Sequence, residues 1–158
     1  MITLEEKEFL EIFKHFNVTS GHGLMEQNLS TRINYLSPPI RRKANEILNE
    51  LVNKDYINYK SDTNFYILTD LGEKELYGDF NINDGLKELL EMFSHFKVAE
   101  GEGIMENNIQ AYTATNKMSP LCKKHINEII QYAIQNNYIM INKNNFYILT
   151  EKGEKEAY

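Results

Sequence analysis

The chain has 158 residues, a formal net charge of −6, 42 % apolar residues and a single cysteine, Cys122. No apolar run reaches the ~18 residues of a membrane helix, no internal disulfide is possible, and the acidic start does not resemble a secretory signal. We therefore expect a cytoplasmic globular protein with no membrane partner. The acidic balance also argues against a protein that coats nucleic acid without specificity.

An internal repeat covers nearly the whole chain. The segment "EFLEIFKHF" (8–16) matches "ELLEMFSHF" (88–96), and eleven of fourteen residues are identical between 64–77 and 145–158. The differences in length fall between the periodic segments, where loops tolerate insertions. The repeat predicts two small domains, which comprise residues 1–79 and 80–158.

Each repeat begins with an amphipathic helix. Thr3 and Glu6 form a capping-box pattern, and apolar residues then recur at helical spacing up to Phe16. In the second repeat we expect the cap at Asn83 or Asp84. A glycine-containing loop should follow, with Gly21 and Gly23 in one repeat and Gly101 and Gly103 in the other. A short second helix is expected within 24–36 and 104–118.

The third helix has the clearest pattern. Ser37 and Ser119 are expected N-cap residues, and each is followed by proline at the first helical position. One apolar face then consists of Ile40, Ala44, Ile47, Leu48 and Leu51, or of Cys122, Ile126, Ile129, Ile130 and Ala133. Cys122 replaces an isoleucine on this face, so we expect it to pack as a small hydrophobic residue.

The period then changes from helical to strand-like. Two β-prone runs, 56–60 and 64–69, flank a polar turn and predict a hairpin, and 138–142 and 145–150 predict its counterpart. Thr69 or Thr150 should cap a short closing helix, which its internal glycine is expected to weaken.

Each repeat has the order helix, helix, helix, hairpin, short helix, and contains the motif "YILTDLGEKEL" or "YILTEKGEKEA". In both features each repeat resembles the winged helix-turn-helix family. Bacterial and archaeal transcription regulators of the multiple-antibiotic-resistance and phenolic-acid-regulator kind share this layout. The resemblance implies an α+β, mostly α fold, with three helices, a β-hairpin wing and a short closing helix in each domain. The wings are shorter than in many such regulators.

Charge is distributed unevenly along the chain. Residues 27–45 and 107–127 contain no Asp or Glu, although about six acids would be expected in these 40 positions at the chain's average frequency. All three arginines lie in the first window. The windows cover the predicted second helix, the turn and the start of the third helix, which is the part of a helix-turn-helix that meets DNA.

The candidate DNA-binding residues follow from this distribution. Arg42, Asn45 and Asn49 should point away from the apolar face, and arginine and asparagine can pair with guanine and adenine. Arg32, Lys43, Lys60 and the second repeat's lysines are expected near phosphates. The full candidate set is Arg32, Arg41, Arg42, Lys43, Asn45, Asn49, Lys60, Lys117, Lys123, Lys124, His125, Asn127 and Lys143.

No constellation of catalytic or metal-binding residues is found, so we expect neither an enzyme nor a cofactor. Four histidines and one cysteine are scattered without metal-ligand spacing. Ten tyrosines and eight phenylalanines mostly recur in the repeated core pattern, which argues against a base-stacking platform.

Two functions remain open. The first is a sequence-specific double-stranded DNA-binding transcription regulator, in which two winged helices form a built-in dimer. The first repeat should then bind more strongly, because the second replaces arginine with lysine and histidine and loses the bidentate fork. The second is a protein-interaction adaptor built from tandem winged helices. A protein partner or further homodimerisation is compatible with either function.

Overall fold

The computed structural model describes all 158 residues and divides them into two compact units, Met1–Asp79 and Phe80–Tyr158. The fold is α+β and mostly helical, with 55 % of residues in helices. Each unit contains one three-stranded antiparallel sheet. We refer to the two units as unit 1 and unit 2.

Unit 1 contains five helices and three short strands. They are α1 (Leu4–His15), β1 (Gly23–Met25), α2 (Glu26–Ile33), α3 (Pro38–Arg42), α4 (Ala44–Asn53), β2 (Ile57–Lys60), β3 (Phe65–Leu68) and α5 (Asp70–Tyr77). The strand order is β1-β3-β2, so the hairpin's second strand lies in the centre.

Unit 2 repeats this order with slightly shorter strands. Its elements are α6 (Ile82–His95), β4 (Gly103–Ile104), α7 (Glu106–Thr113), α8 (Pro120–Lys124), α9 (Ile126–Gln135), β5 (Ile139–Ile141), β6 (Tyr147–Leu149) and α10 (Glu151–Ala157). The strand order β4-β6-β5 is equivalent to that of unit 1.

Each unit has its own hydrophobic core between its first helix, its long fourth helix and one face of its sheet. In unit 1, Phe9 and Phe13 of α1 are fully buried together with Leu51 of α4 and Leu68 of β3. Burial of one such side chain contributes about 1.5–3 kcal/mol. The core therefore fixes α4 against α1 and leaves the other face of α4 exposed.

The helix starts mostly follow the predicted caps. In α1, the Glu6 N–H donates to Thr3 Oγ1 at 3.2 Å and the Thr3 N–H donates to Glu6 Oε2 at 2.8 Å, which confirms the capping box. Helix α6 begins earlier than predicted, because Asn81 is its cap and accepts a hydrogen bond from the Asn83 N–H at 2.9 Å.

The predicted third helix is divided in both units. Helices α3 and α4 meet at Lys43, and α8 and α9 meet at His125, two residues with φ near −100° and ψ near 10°. Ser119 Oγ accepts the Cys122 N–H at 3.4 Å, whereas Ser37 occupies the cap position without a side-chain hydrogen bond. The prediction of a continuous third helix is therefore wrong at one residue in each unit, Lys43 and His125.

The predicted glycine loop is partly wrong as well. Gly21 and Gly101 lie in a turn at φ +80°, but Gly23 and Gly103 begin the short strands β1 and β4. A Cβ at Gly23 would collide with the backbone carbonyl of Tyr66 on the central strand. Glycine is needed there because two backbones pass close to each other.

The closing helix is held in place at both ends. Thr69 Oγ1 caps α5 by accepting the Gly72 N–H at 3.1 Å, and the Tyr77 hydroxyl donates to the Val18 carbonyl at 3.0 Å. A Cβ at Gly72 would strike the backbone carbonyl of Tyr56. The glycine that was expected to weaken this helix instead permits its close packing.

Candidate nucleic-acid interface

The two arginines of α3 are accessible to solvent. Both Arg41 and Arg42 are exposed. Arg41 donates from Nη1 to the Asn34 carbonyl at 3.2 Å, and neither guanidinium takes part in an ion pair. Both charges are therefore available to an anionic ligand.

The last turn of α2 adds a further cation, and the turn that follows it adds an aromatic ring. The Arg32 guanidinium lies 5.1 Å from the centre of the Tyr35 ring, in cation–π geometry. Tyr35 is 75 % exposed. Sequence reasoning missed Tyr35 because it assigned the aromatic residues to the core. Its position outside the repeated apolar pattern was the one available signal.

Helix α4 presents its predicted polar residues to solvent. Asn45 and Asn49 are exposed, as expected for residues opposite the buried Ile47. Exposed Glu46 and Glu50 lie on the same helix. The cationic surface therefore ends within the first turns of α4, and α4 continues as a mixed polar face.

Lys43, which was expected near a phosphate, lies beside a carboxylate. Its Nζ lies 3.2 Å from Oε1 of Glu5 on α1, and both side chains are about half exposed. An exposed pair of this kind is worth at most about 1 kcal/mol, so it lowers the local positive charge without fixing Lys43 firmly. Lys60, at the end of β2, is exposed and lies in no ion pair.

A second ion pair joins Glu6, the residue after Glu5, to Lys54 at the end of α4. Glu6 Oε1 lies 2.6 Å from Lys54 Nζ, and the Glu6 side chain is 5 % exposed. Burial raises the pKa of Glu6, but hydrogen bonds from Lys54 and Thr3 outweigh it and hold that pKa below its usual 4.5. The pair links the start of α1 to the end of α4, and so positions the exposed face of α4.

The corresponding residues of unit 2 are arranged differently. Lys124 and Asn127 are exposed, Lys123 is half-buried, and Lys143 is exposed in the turn of the hairpin. Lys117 Nζ lies 3.2 Å from Nε2 of His95. None of these positions holds a guanidinium, so unit 2 has no planar fork for a base or phosphate.

His125 is packed rather than open. Its ring stacks on Phe80 with centroids 4.2 Å apart and an angle of 9° between the planes. Its Nδ1 lies 3.0 Å from Oε1 of Glu128. Both contacts occupy the side chain that was predicted to approach DNA. The predicted set therefore differs between the units: unit 1 contains three arginines, with Lys43 in an ion pair, whereas unit 2 contains lysines, with His125 packed on Phe80.

No group of three or more His, Cys, Asp or Glu side chains is placed to hold a metal ion. None of the helices combines the length and the apolar composition that a membrane span requires. Cys122 is buried as predicted, and burial raises the pKa of its thiol to about 11. The thiol is therefore protonated at neutral pH and is a poor nucleophile.

Comparison of the chain with protein-family models, with curated protein sequences and with solved structures gives no significant match.

Proposed function

We propose that each unit is a winged helix and that the chain is a sequence-specific double-stranded DNA-binding protein, acting as a transcription regulator. The order of helices and the sheet order β1-β3-β2 support the winged-helix assignment, because a hairpin follows the long helix α4 and a strand between the first two helices completes its sheet. In that arrangement α3 and α4 together occupy the place of the recognition helix.

The observation that carries the proposal is the presence on α3 of two exposed guanidinium groups that make no ion pair. Arg41 and Arg42 lie within the acid-free stretch 27–45 of a chain with net charge −6. A guanidinium can bind phosphate or guanine with two parallel hydrogen bonds, which an ammonium cannot do. Exposed Asn45 and Asn49 follow on α4 and supply groups that can pair with adenine.

A second candidate function is a protein-interaction adaptor without DNA binding. It is favoured by the ion pair that Glu5 makes with Lys43 and by the packing of His125 on Phe80. The first contact offsets the charge of Lys43, and the second occupies the His125 ring, so both limit side chains that would otherwise face DNA. We place this function second because neither contact involves Arg41 or Arg42.

The experiment is a selection of bound duplexes from a random pool, followed by affinity measurement for the selected sequence. R41A/R42A should weaken binding at least about tenfold, since each bidentate contact is worth about 1–3 kcal/mol. K123A/K124A in unit 2 is the matched control, and it should weaken binding less than R41A/R42A does. Equal losses would contradict the predicted difference between the units, and failure to select any duplex would favour the adaptor.

A further inference from the structure

We infer that Tyr35, together with Arg32 and Arg41, forms a surface in unit 1 that stacks on an unpaired base of a nucleic acid. The inference rests on the proposed nucleic-acid binding and specifies one of its ligands. We call these three residues the Tyr35 surface.

The exposure of Tyr35 is unusual within this chain. At 75 % it is the most exposed of the tyrosines, and its hydroxyl makes no hydrogen bond within the protein. The other two exposed tyrosines each donate from their hydroxyl, Tyr59 to Asn64 at 3.0 Å and Tyr158 to the Val98 carbonyl at 3.1 Å. Tyr35 alone contributes neither to the core nor to a hydrogen bond through its hydroxyl.

The ring is nevertheless held in a defined place. The Tyr35 N–H donates to the Arg32 carbonyl at 2.9 Å, and the Leu36 N–H donates to the Ile33 carbonyl at 3.0 Å, which fixes the turn. The Arg32 guanidinium then lies over the ring. A ring held in this way loses little conformational freedom when a ligand stacks on it.

Two cations lie in the neighbourhood of the ring. Arg32 contacts the ring itself, and Arg41 donates from Nη1 to the carbonyl of Asn34, the residue directly before Tyr35. The stretch 27–45 contains no acid that would repel a phosphate. An aromatic ring with flanking cations is the combination that binds single-stranded nucleic acid, in which bases stack on the ring and phosphates meet the cations.

The chemistry favours an unpaired base. A ring can stack only on a base whose face is open, and the bases inside a duplex already stack on each other. A gap or a single-stranded end next to a duplex exposes such a face. The corresponding turn in unit 2, within 113–118, contains no aromatic residue, so this surface belongs to unit 1 alone.

The test compares the affinity of the whole chain for a fully paired duplex and for the same duplex with a two-nucleotide gap that carries 2-aminopurine. We expect the gapped DNA to bind about fivefold or more tightly and the 2-aminopurine fluorescence to be quenched. Y35A should bring the ratio of the two affinities close to one. Y35F should keep the ratio, because stacking needs the ring and not the hydroxyl.

The outcomes of this comparison distinguish failure of the stacking inference from failure of the proposed function. Binding to the duplex without a preference for the gap overturns the stacking inference and leaves the proposed function in place. A preference that Y35A retains overturns the assignment to Tyr35. Absence of binding to either DNA overturns the proposed function and the inference with it. Circular dichroism of Y35A checks folding, which the high exposure of the side chain should leave intact.

Discussion

Removal of the Lys54 ammonium should destabilise unit 1 through Glu6. The Glu6 side chain is 5 % exposed and Lys54 is 32 % exposed, with 2.6 Å between Oε1 and Nζ. Loss of one partner of a fully buried pair costs about 3–5 kcal/mol, whereas an exposed pair contributes at most about 1 kcal/mol. Since water reaches Lys54, we expect K54M to lower the free energy of unfolding by about 2 kcal/mol at pH 7.

The pH dependence distinguishes this mechanism from a loss of packing. The folded-state pKa of Glu6 lies below its usual 4.5, so the stabilisation is complete above that pH and is lost as the pH falls. The pKa of Lys54 is raised above 10.5, chiefly by the hydrogen bond to Glu6, so its contribution is lost only as the pH rises through that raised value. In K54M, burial favours the protonated carboxyl, and the loss relative to wild type should shrink between pH 7 and pH 4.

Unit 2 lacks this ion pair, because Leu86 and Asn136 occupy the positions equivalent to Glu6 and Lys54. The control in unit 1 is the double variant E6Q/K54M, in which glutamine can still accept the Thr3 N–H of the capping box. It should lose less stability than K54M, because no charge remains buried without a partner. Urea unfolding followed by circular dichroism gives the magnitude, and hydrogen exchange of the full chain assigns it to unit 1. A loss that does not change with pH, or a double variant worse than K54M, would refute this explanation.

Three further predictions concern stability and reactivity. G72A and G153A should each lower the free energy of unfolding of their own unit by more than about 1 kcal/mol, as measured by urea unfolding. The reason is that the added Cβ collides with the backbone carbonyl of Tyr56 or Tyr138. Unchanged stability would mean that the closing helix shifts easily. Y158F should lower the free energy of unfolding by about 1 kcal/mol, because it removes the hydrogen bond from the Tyr158 hydroxyl to the Val98 carbonyl. Y35F is the control, since the Tyr35 hydroxyl makes no hydrogen bond within the protein. The Cys122 thiol should react with a thiol reagent at pH 8 only after unfolding, since burial raises its pKa to about 11; rapid reaction of the native chain would contradict its packing role.

The sequence predicts most of the secondary structure because the helices and the hairpin have strong periodic patterns. The short strand β1 could not be predicted, since three residues are too few to show an alternation. The division between α3 and α4 has no glycine or proline to signal it. The start of α6 was misplaced because Asn81, Asn83 and Asp84 are all residues that can cap a helix.

The candidate interface was predictable only in part. The exposure of Arg42 and Asn45 follows from the apolar face of the same helix, which is a local pattern. The pairing of Lys43 with Glu5 and the stacking of His125 on Phe80 join residues 38 and 45 positions apart, and they depend on how the helices pack. Local patterns therefore identify which charges face outward, but not which of them already have a partner.

The central claim is that the cations of this chain bind DNA phosphates, and the salt dependence of affinity tests it most directly. Binding of a selected duplex should be measured from 50 to about 200 mM salt. If six cations of the chain each meet a phosphate, a plot of log affinity against log salt should have a slope of about −5. R41A/R42A should reduce the magnitude of this slope by about 0.9 for each of the two guanidinium groups that contacts a phosphate rather than a base. Affinity that does not change with salt, or no binding to any duplex, would contradict the claim.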